Sequence, residues 1–182
     1  EMLISQVPLE RSLGLNSRWF AIQAEPEFFA VTKKVHNLLQ GEVFSLTAEE
    51  KSIYLETNKK LSDSLEKILS EFDSGVLVIH DPQPIALIDY VPSNFSPIFR
   101  LHIDISTPNK ETLEFFKPYM MKYPLVILSN EAYVPSVPWL DRNKIKLMYP
   151  TIDPLTDKNK KMSKEVAWEI LREFNINPTK PL

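Results

Sequence analysis

Apolar residues in this chain follow two rhythms, one after the other. In the first part they recur at helical spacing. Met2, Leu3, Val7, Leu9 and Leu13 lie roughly on one face of a predicted helix that Gly14 stops. The run EFFAVTKKVHNLLQG, residues 27 to 41, repeats the pattern, with Pro26 at its start and Gly41 as its stop. Thr47 and Glu50 form a capping box ahead of TAEEKSIYLETNKKLSDSLEKILSEF, a long, charged, amphipathic helix. Between the first two helices, Arg18 to Gln23 (RWFAIQ) alternates and carries aromatic residues, which predicts a strand.

Farther on, the apolar residues gather into short continuous runs: VLVIH (76 to 80), PIFRLHI (97 to 103), PLVILSN (124 to 130) and KIKLMYP (144 to 150). Helical segments are predicted near 83 to 90 and 109 to 122. Short buried strands alternating with helices predict parallel βαβ units, and continuous apolar runs predict a sheet covered on both faces. The predicted class is therefore α/β, a doubly wound parallel sheet. After Tyr149 the texture turns polar: PTIDPLTDKNKK reads as a linker and SKEVAWEILREF as a last amphipathic helix. The final NINPTKPL has no core of its own, and no internal repeat is present.

Composition narrows the function classes. A chain of 182 residues and 21.1 kDa is long enough for one domain with a real core and an appendage. With 21 basic and 24 acidic residues there is no electrostatic footprint for nucleic acid or an anionic membrane. The absence of cysteine excludes disulfides and thiolate metal sites and suits a reducing cytoplasm. No apolar run approaches the roughly 18 residues of a membrane span, and the first residues lack a signal-peptide pattern. The expectation is a soluble, cytoplasmic protein. Three glycines against 15 prolines leave no GxGxxG or GxxxxGK phosphate loop.

Candidate chemistry sits at the strand exits, where open parallel sheets place their ligands. The first of the four runs ends in His80-Asp81, the second in His102-Ile103-Asp104 and the third in Ser129-Asn130-Glu131. Arg100 lies two residues before His102, and strand periodicity points Arg100, His102 and Asp104 to one side if the strand continues that far. Plainer readings stand beside this one. Asp81-Pro82 is a good helix opening, with Asp as N-cap and Pro at N1. Arg100 and Asp104 could form an ion pair. His36 reads as a surface or packing residue, and the Lys158 to Lys164 run as a solvated linker face. Trp19, Phe20, Phe28 and Phe29 read as core, with Trp19 or Phe28 as alternatives for a carbohydrate-stacking rim. A metal site from nitrogen and carboxylate ligands is a further option, although the HExxH spacing is absent. No GxSxG elbow or cysteine nucleophile is present.

Taken together, RWFAIQAEPEFFAVTKKVHNLLQG, IHDPQPIALI, RLHIDISTPN and LDRNKIKLMYPTIDPLTDKN resemble the N-terminal half of the trehalose glycosyltransferring synthase and trehalose phosphorylase group. These are retaining glycosyltransferases of the GT-B fold, in which two Rossmann-like domains face each other across a cleft. The resemblance covers nearly the whole chain. It implies that His102 is the catalytic residue, beside the donor sugar and the reaction centre. It further implies that His80, Asp81 and Gln83 line the acceptor side, that Arg100 and Asp104 support or join that wall, and that Asp153 sits at the interdomain hinge.

The same resemblance implies an acceptor-side domain over residues 1–150 and a hinge with its helix over 151–182. The first strand and a glycine-rich loop are expected before Glu1, and a donor domain after Leu182, so the chain alone is expected to be inactive. The expected substrates are ADP-glucose or UDP-glucose with glucose, giving trehalose, or glucose 1-phosphate in phosphorylase members. No cofactor and no metal are expected. A homo-oligomer is a further expectation; nucleic acid and membrane are not expected partners. Two other readings remain: a non-catalytic sugar-binding or regulatory module, and a metal-dependent hydrolase using His80, Asp81, His102 and Asp104.

Overall fold

A computed structural model describes residues 2–153, 156, 159, 161–174 and 176. In chain order the elements are helices α1 (Met2–Ser12), α2 (Pro26–Leu39) and α3 (Ala48–Leu69), strands β1 (Gly75–His80) and β2 (Phe95–Leu101), helix α4 (Lys110–Met120), strands β3 (Leu125–Leu128) and β4 (Ile145–Leu147), and helix α5 (Lys164–Glu173). Single 3-10 segments occupy Ile85–Tyr90, Glu131–Ser136 and Arg142–Lys144. The chain divides into two compact units, one of Phe20–Pro150 and one of Glu1–Trp19 with Thr151–Leu182. Of the expected linker and tail, Pro154, Leu155, Asp157, Lys158, Lys160, Asn175 and residues 177–182 lie outside the described residues.

Within the larger unit the four strands form one parallel sheet in the order β1-β2-β3-β4. The fold is α/β with a Rossmann-like parallel sheet, as the alternating runs predict. Ile79, Phe99, Val126 and Ile145 stand side by side in register, and Phe99 and Val126 are fully buried. One apolar cluster joins this face to Phe28, Val35 and Leu38 of α2, Tyr54 and Leu61 of α3, and Phe116 of α4. The other face is more open, with Val76 and Val78 of β1 exposed. Pro97 is accommodated inside β2 because pairing with β3 begins only at Ile98, so no partner needs the missing N–H on that side.

Helix ends follow the sequence signals. Thr47 accepts from the Glu50 N–H at 3.1 Å and Glu50 accepts from the Thr47 N–H at 2.7 Å, closing the capping box. Asn109 caps α4 through the Thr112 N–H, and its amide nitrogen donates to the carbonyls of Glu42 and Phe44. Gly41 ends α2 at φ +105°, and a β-carbon there would meet the Thr107 carbonyl oxygen at 2.8 Å. Only glycine fits that approach.

Two expected elements differ. Arg18 to Gln23 form no strand. Ile22 and Ala24 do turn toward the core at alternate positions, which produces the period of two, but the segment pairs with no strand and leaves Trp19 and Phe20 about half exposed. The segment expected as a helix near 83 to 90 is the 3-10 segment Ile85–Tyr90. Phe28, an alternative for a sugar-stacking rim, is 1% exposed and belongs to the core.

Candidate active site

The candidate site lies in the larger unit, where β1 and β2 leave the sheet. Their register pairs His80 with Arg100, so the two chains emerge at the same level. Asp81 then takes a left-handed turn, with φ 63°, a conformation that Asp tolerates better than most residues. Its N–H donates to the Arg100 carbonyl at 2.9 Å and its carboxylate Oδ1 accepts from the His102 N–H at 2.8 Å. Asp81 therefore does not cap a helix. The next helical segment starts at Ile85, behind Pro84 and without a side-chain cap, because the carboxylate is spent on the neighbouring strand.

This clamp brings the two histidines together. His80 Nδ1 and His102 Nε2 are 2.9 Å apart and share a hydrogen bond whose donor depends on the tautomer. The ring planes differ by 8° with centroids 5.2 Å apart. With the nitrogens in hydrogen-bond contact, such rings lie edge to edge rather than face to face. One proton serves both nitrogens, so the pair cannot carry two imidazolium rings and keep this bond. Burial lowers the His102 pKa below its usual value, opposed by the Asp81 carboxylate and reinforced by the Arg100 cation. The ring is neutral at pH 7.

Arg100 is 6% exposed. Its Nη2 donates to the Met148 carbonyl at 2.7 Å, just past β4, while Nη1 is buried and has no hydrogen-bond partner among the described residues. Burial lowers its pKa and the Asp81 carboxylate opposes that. The ion pair with Asp104 is not formed: β2 ends at Leu101, and Asp104 is exposed and accepts from the Ser106 N–H at 2.7 Å. The structure thus gathers His80, Asp81, Arg100 and His102, and leaves Asp104 in the following loop.

Three buried side chains, none of them evident as site residues in the sequence, hold the loop after Asp81. The Tyr54 hydroxyl donates to the Pro82 carbonyl at 2.5 Å, Asn58 Nδ2 to the Gln83 carbonyl at 3.1 Å, and the Tyr123 hydroxyl to the Ile85 carbonyl at 2.8 Å. Burial raises the pKa of both tyrosines, so each stays a hydroxyl donor. The legible signal was Asn58, an amide set in the apolar stripe of Tyr54, Leu61, Leu65 and Leu69 on α3. With its main chain fixed, Gln83 is left half-buried and its side chain makes no hydrogen bond among the described residues. Ser129, also buried, donates to the Leu101 carbonyl at 3.1 Å and braces the β2 exit from β3.

The cluster has little of a metal site. Each histidine spends one nitrogen on the other, Asp81 is engaged by a main-chain N–H, and among the described residues no group of three or more His, Cys, Asp or Glu side chains could hold an ion. Asp153, expected at a hinge, accepts through its carbonyl from Asn159 Nδ2 at 2.7 Å and the Thr156 hydroxyl at 3.0 Å. No described helix is long and apolar enough to cross a membrane.

Comparison with known proteins places this geometry in context. The family described as trehalose synthase, N-terminal domain, matches residues 1–135. The chain is 44% identical over 183 residues to a trehalose synthase of Pyrococcus horikoshii, 40% identical over 183 residues to one of Thermococcus litoralis, and 34% identical over 184 residues to one of Rubrobacter xylanophilus. Each comparison takes in 100% of this chain and 43% of the relative, so the chain spans less than half the length of the relatives it matches.

Proposed function

This chain belongs to the family of trehalose synthase N-terminal domains, and we propose that it is the acceptor-side domain of a retaining GT-B glycosyltransferase. The reaction is transfer of glucose from a nucleotide sugar, ADP-glucose or UDP-glucose, to glucose, giving trehalose in the cytoplasm, where activated sugars are made. The observation that carries the site assignment is the joined His80–His102 pair, clamped by Asp81 at the exits of two adjacent parallel strands.

In this reading His102 accepts or donates a hydrogen bond to the acceptor hydroxyl, and its main chain is held by Asp81. Groups fixed on strand exits can orient a hydroxyl for attack, and such orientation contributes several kcal/mol, up to about 7–11 in the best intramolecular cases. Arg100 and the Gln83 amide complete the polar wall. Front-face transfer is the reading for retention: Asp81 is engaged by the His102 N–H and Asp104 by the Ser106 N–H, so among the described residues these two carboxylates do not form the pair that the two-carboxylate glycosidase mechanism needs. Residues beyond this chain would supply the donor site.

The test is product analysis with a chain of the relatives' length that carries this sequence. Trehalose formed from glucose and ADP-glucose or UDP-glucose supports the proposal. Trehalose formed only from glucose 1-phosphate replaces it with a phosphorylase. A folded protein that binds glucose but forms no trehalose from any of these donors replaces it with a sugar-binding module.

A further inference from the structure

The contact between the two histidines uses one nitrogen from each ring, and it selects which nitrogen remains. His102 commits Nε2 to His80 Nδ1, while its Nδ1 makes no hydrogen bond among the described residues. The rings lie edge to edge in nearly one plane, 8° apart, so the N–H of one points along the lone pair of the other. Both main chains are fixed around this contact: His80 by its register with Arg100, His102 by the Asp81 carboxylate. Rotating the His102 ring would break the bond.

We infer that His80 is a positioning residue: by holding His102 Nε2 it fixes the plane of His102, ties the tautomer of His102 to its own and leaves Nδ1 as the nitrogen that meets the acceptor hydroxyl. The inference rests on the reading that His102 works on that hydroxyl. The two rings are linked through their single shared proton. With that proton on His102 Nε2, Nδ1 carries a lone pair and accepts; with it on His80 Nδ1, His102 Nδ1 carries hydrogen and donates. Either way the two rings carry hydrogen on the same-named nitrogen, whereas a ring free of His80 would take its tautomer and its rotation independently.

Long-range proton–nitrogen NMR on the full 182-residue chain, at a pH of about 8 and so above the usual histidine range, reads the tautomer directly. The expected result is the same tautomer, in the same proportion, at His80 and at His102. In His80→Ala the two nitrogen shifts of His102 should move, because Nε2 loses its partner. In His80→Asn, whose side-chain amide stands where Nδ1 stood, they should stay closer to those of the unsubstituted chain. In the chain of the relatives' length, His80→Ala should lower kcat by about tenfold to a hundredfold with little change in KM, and His80→Asn should recover most of it. Opposite tautomers at His80 and His102 in the unsubstituted chain, or unmoved His102 shifts in folded His80→Ala, would overturn the inference. The NMR result stands whether or not the longer chain transfers glucose, so the two readings fail separately.

Discussion

Asp81 and His102 are joined by a hydrogen bond that crosses from the exit of β1 to the exit of β2, the carboxylate accepting the His102 N–H at 2.8 Å. The same aspartate holds a left-handed backbone and donates its own N–H to the Arg100 carbonyl. One residue thus sets both the turn after β1 and the position of the histidine after β2. A side chain with an acceptor oxygen and tolerance for positive φ is required.

Substitutions at position 81 separate those two demands. Asp81→Asn keeps both and should cost less than about 1 kcal/mol. Asp81→Gly keeps the backbone freedom and loses the charged acceptor, a loss of about 1.5–3 kcal/mol. Asp81→Ala loses the acceptor and adds left-handed strain of roughly 1–2 kcal/mol. Urea denaturation should rank them in that order; an alanine variant as stable as the asparagine variant would show that the clamp carries no energy.

Tyr54→Phe removes a single oxygen from the core. It leaves the Pro82 carbonyl without its donor in a region where Tyr54 is fully buried, so a loss of about 1–3 kcal/mol is expected. Native-state hydrogen exchange should show faster opening of the loop after Asp81 and little change in α5. Equal destabilisation with no local change in exchange would contradict an anchoring role.

The partly buried position of His102 makes stability depend on pH. Its folded pKa lies below the unfolded value of about 6.5, so the unfolded chain takes up the proton first as pH falls. The contribution is complete above that value. It is lost as pH drops from there through the lowered folded pKa. Urea midpoints measured from pH 8 down to about 5 should decline, and His102→Gln should flatten the decline; a variant with the same slope would remove His102 as its cause.

Thr47→Ala tests the helix start independently of the candidate site. It removes the hydroxyl of the capping box of α3, and a loss of about 1 kcal/mol is expected. Glu50, held in its charged form first by Lys34 and then by the Thr47 main chain, remains paired. The histidine NMR signals should not move.

Much of this was legible in the chain because the deciding forces are local. The capping box of α3, the glycine that ends α2 and the four apolar runs that become β1 to β4 each declare themselves within a few residues. The strand-exit rule was enough to bring His80, Asp81, Arg100 and His102 into one place. What local pattern could not settle was pairing. RWFAIQ alternates as a strand does, yet it pairs with none of the described strands. Asp81-Pro82 has the letters of a helix cap, yet the carboxylate goes to an N–H 21 residues away. Arg100 finds a carbonyl past β4 rather than Asp104, and Tyr54, Asn58 and Tyr123 reach the loop from elements distant in sequence. Such partners depend on the assembled sheet and helices.

The most direct test of His102 as the residue that orients the acceptor is His102→Ala in a chain of the relatives' length, assayed for trehalose formation from glucose and a nucleotide-activated glucose. The expected result is a fall in kcat of about a hundredfold or more, with unchanged circular dichroism and retained binding of the nucleotide sugar. Turnover close to that of the unsubstituted protein would contradict the assignment.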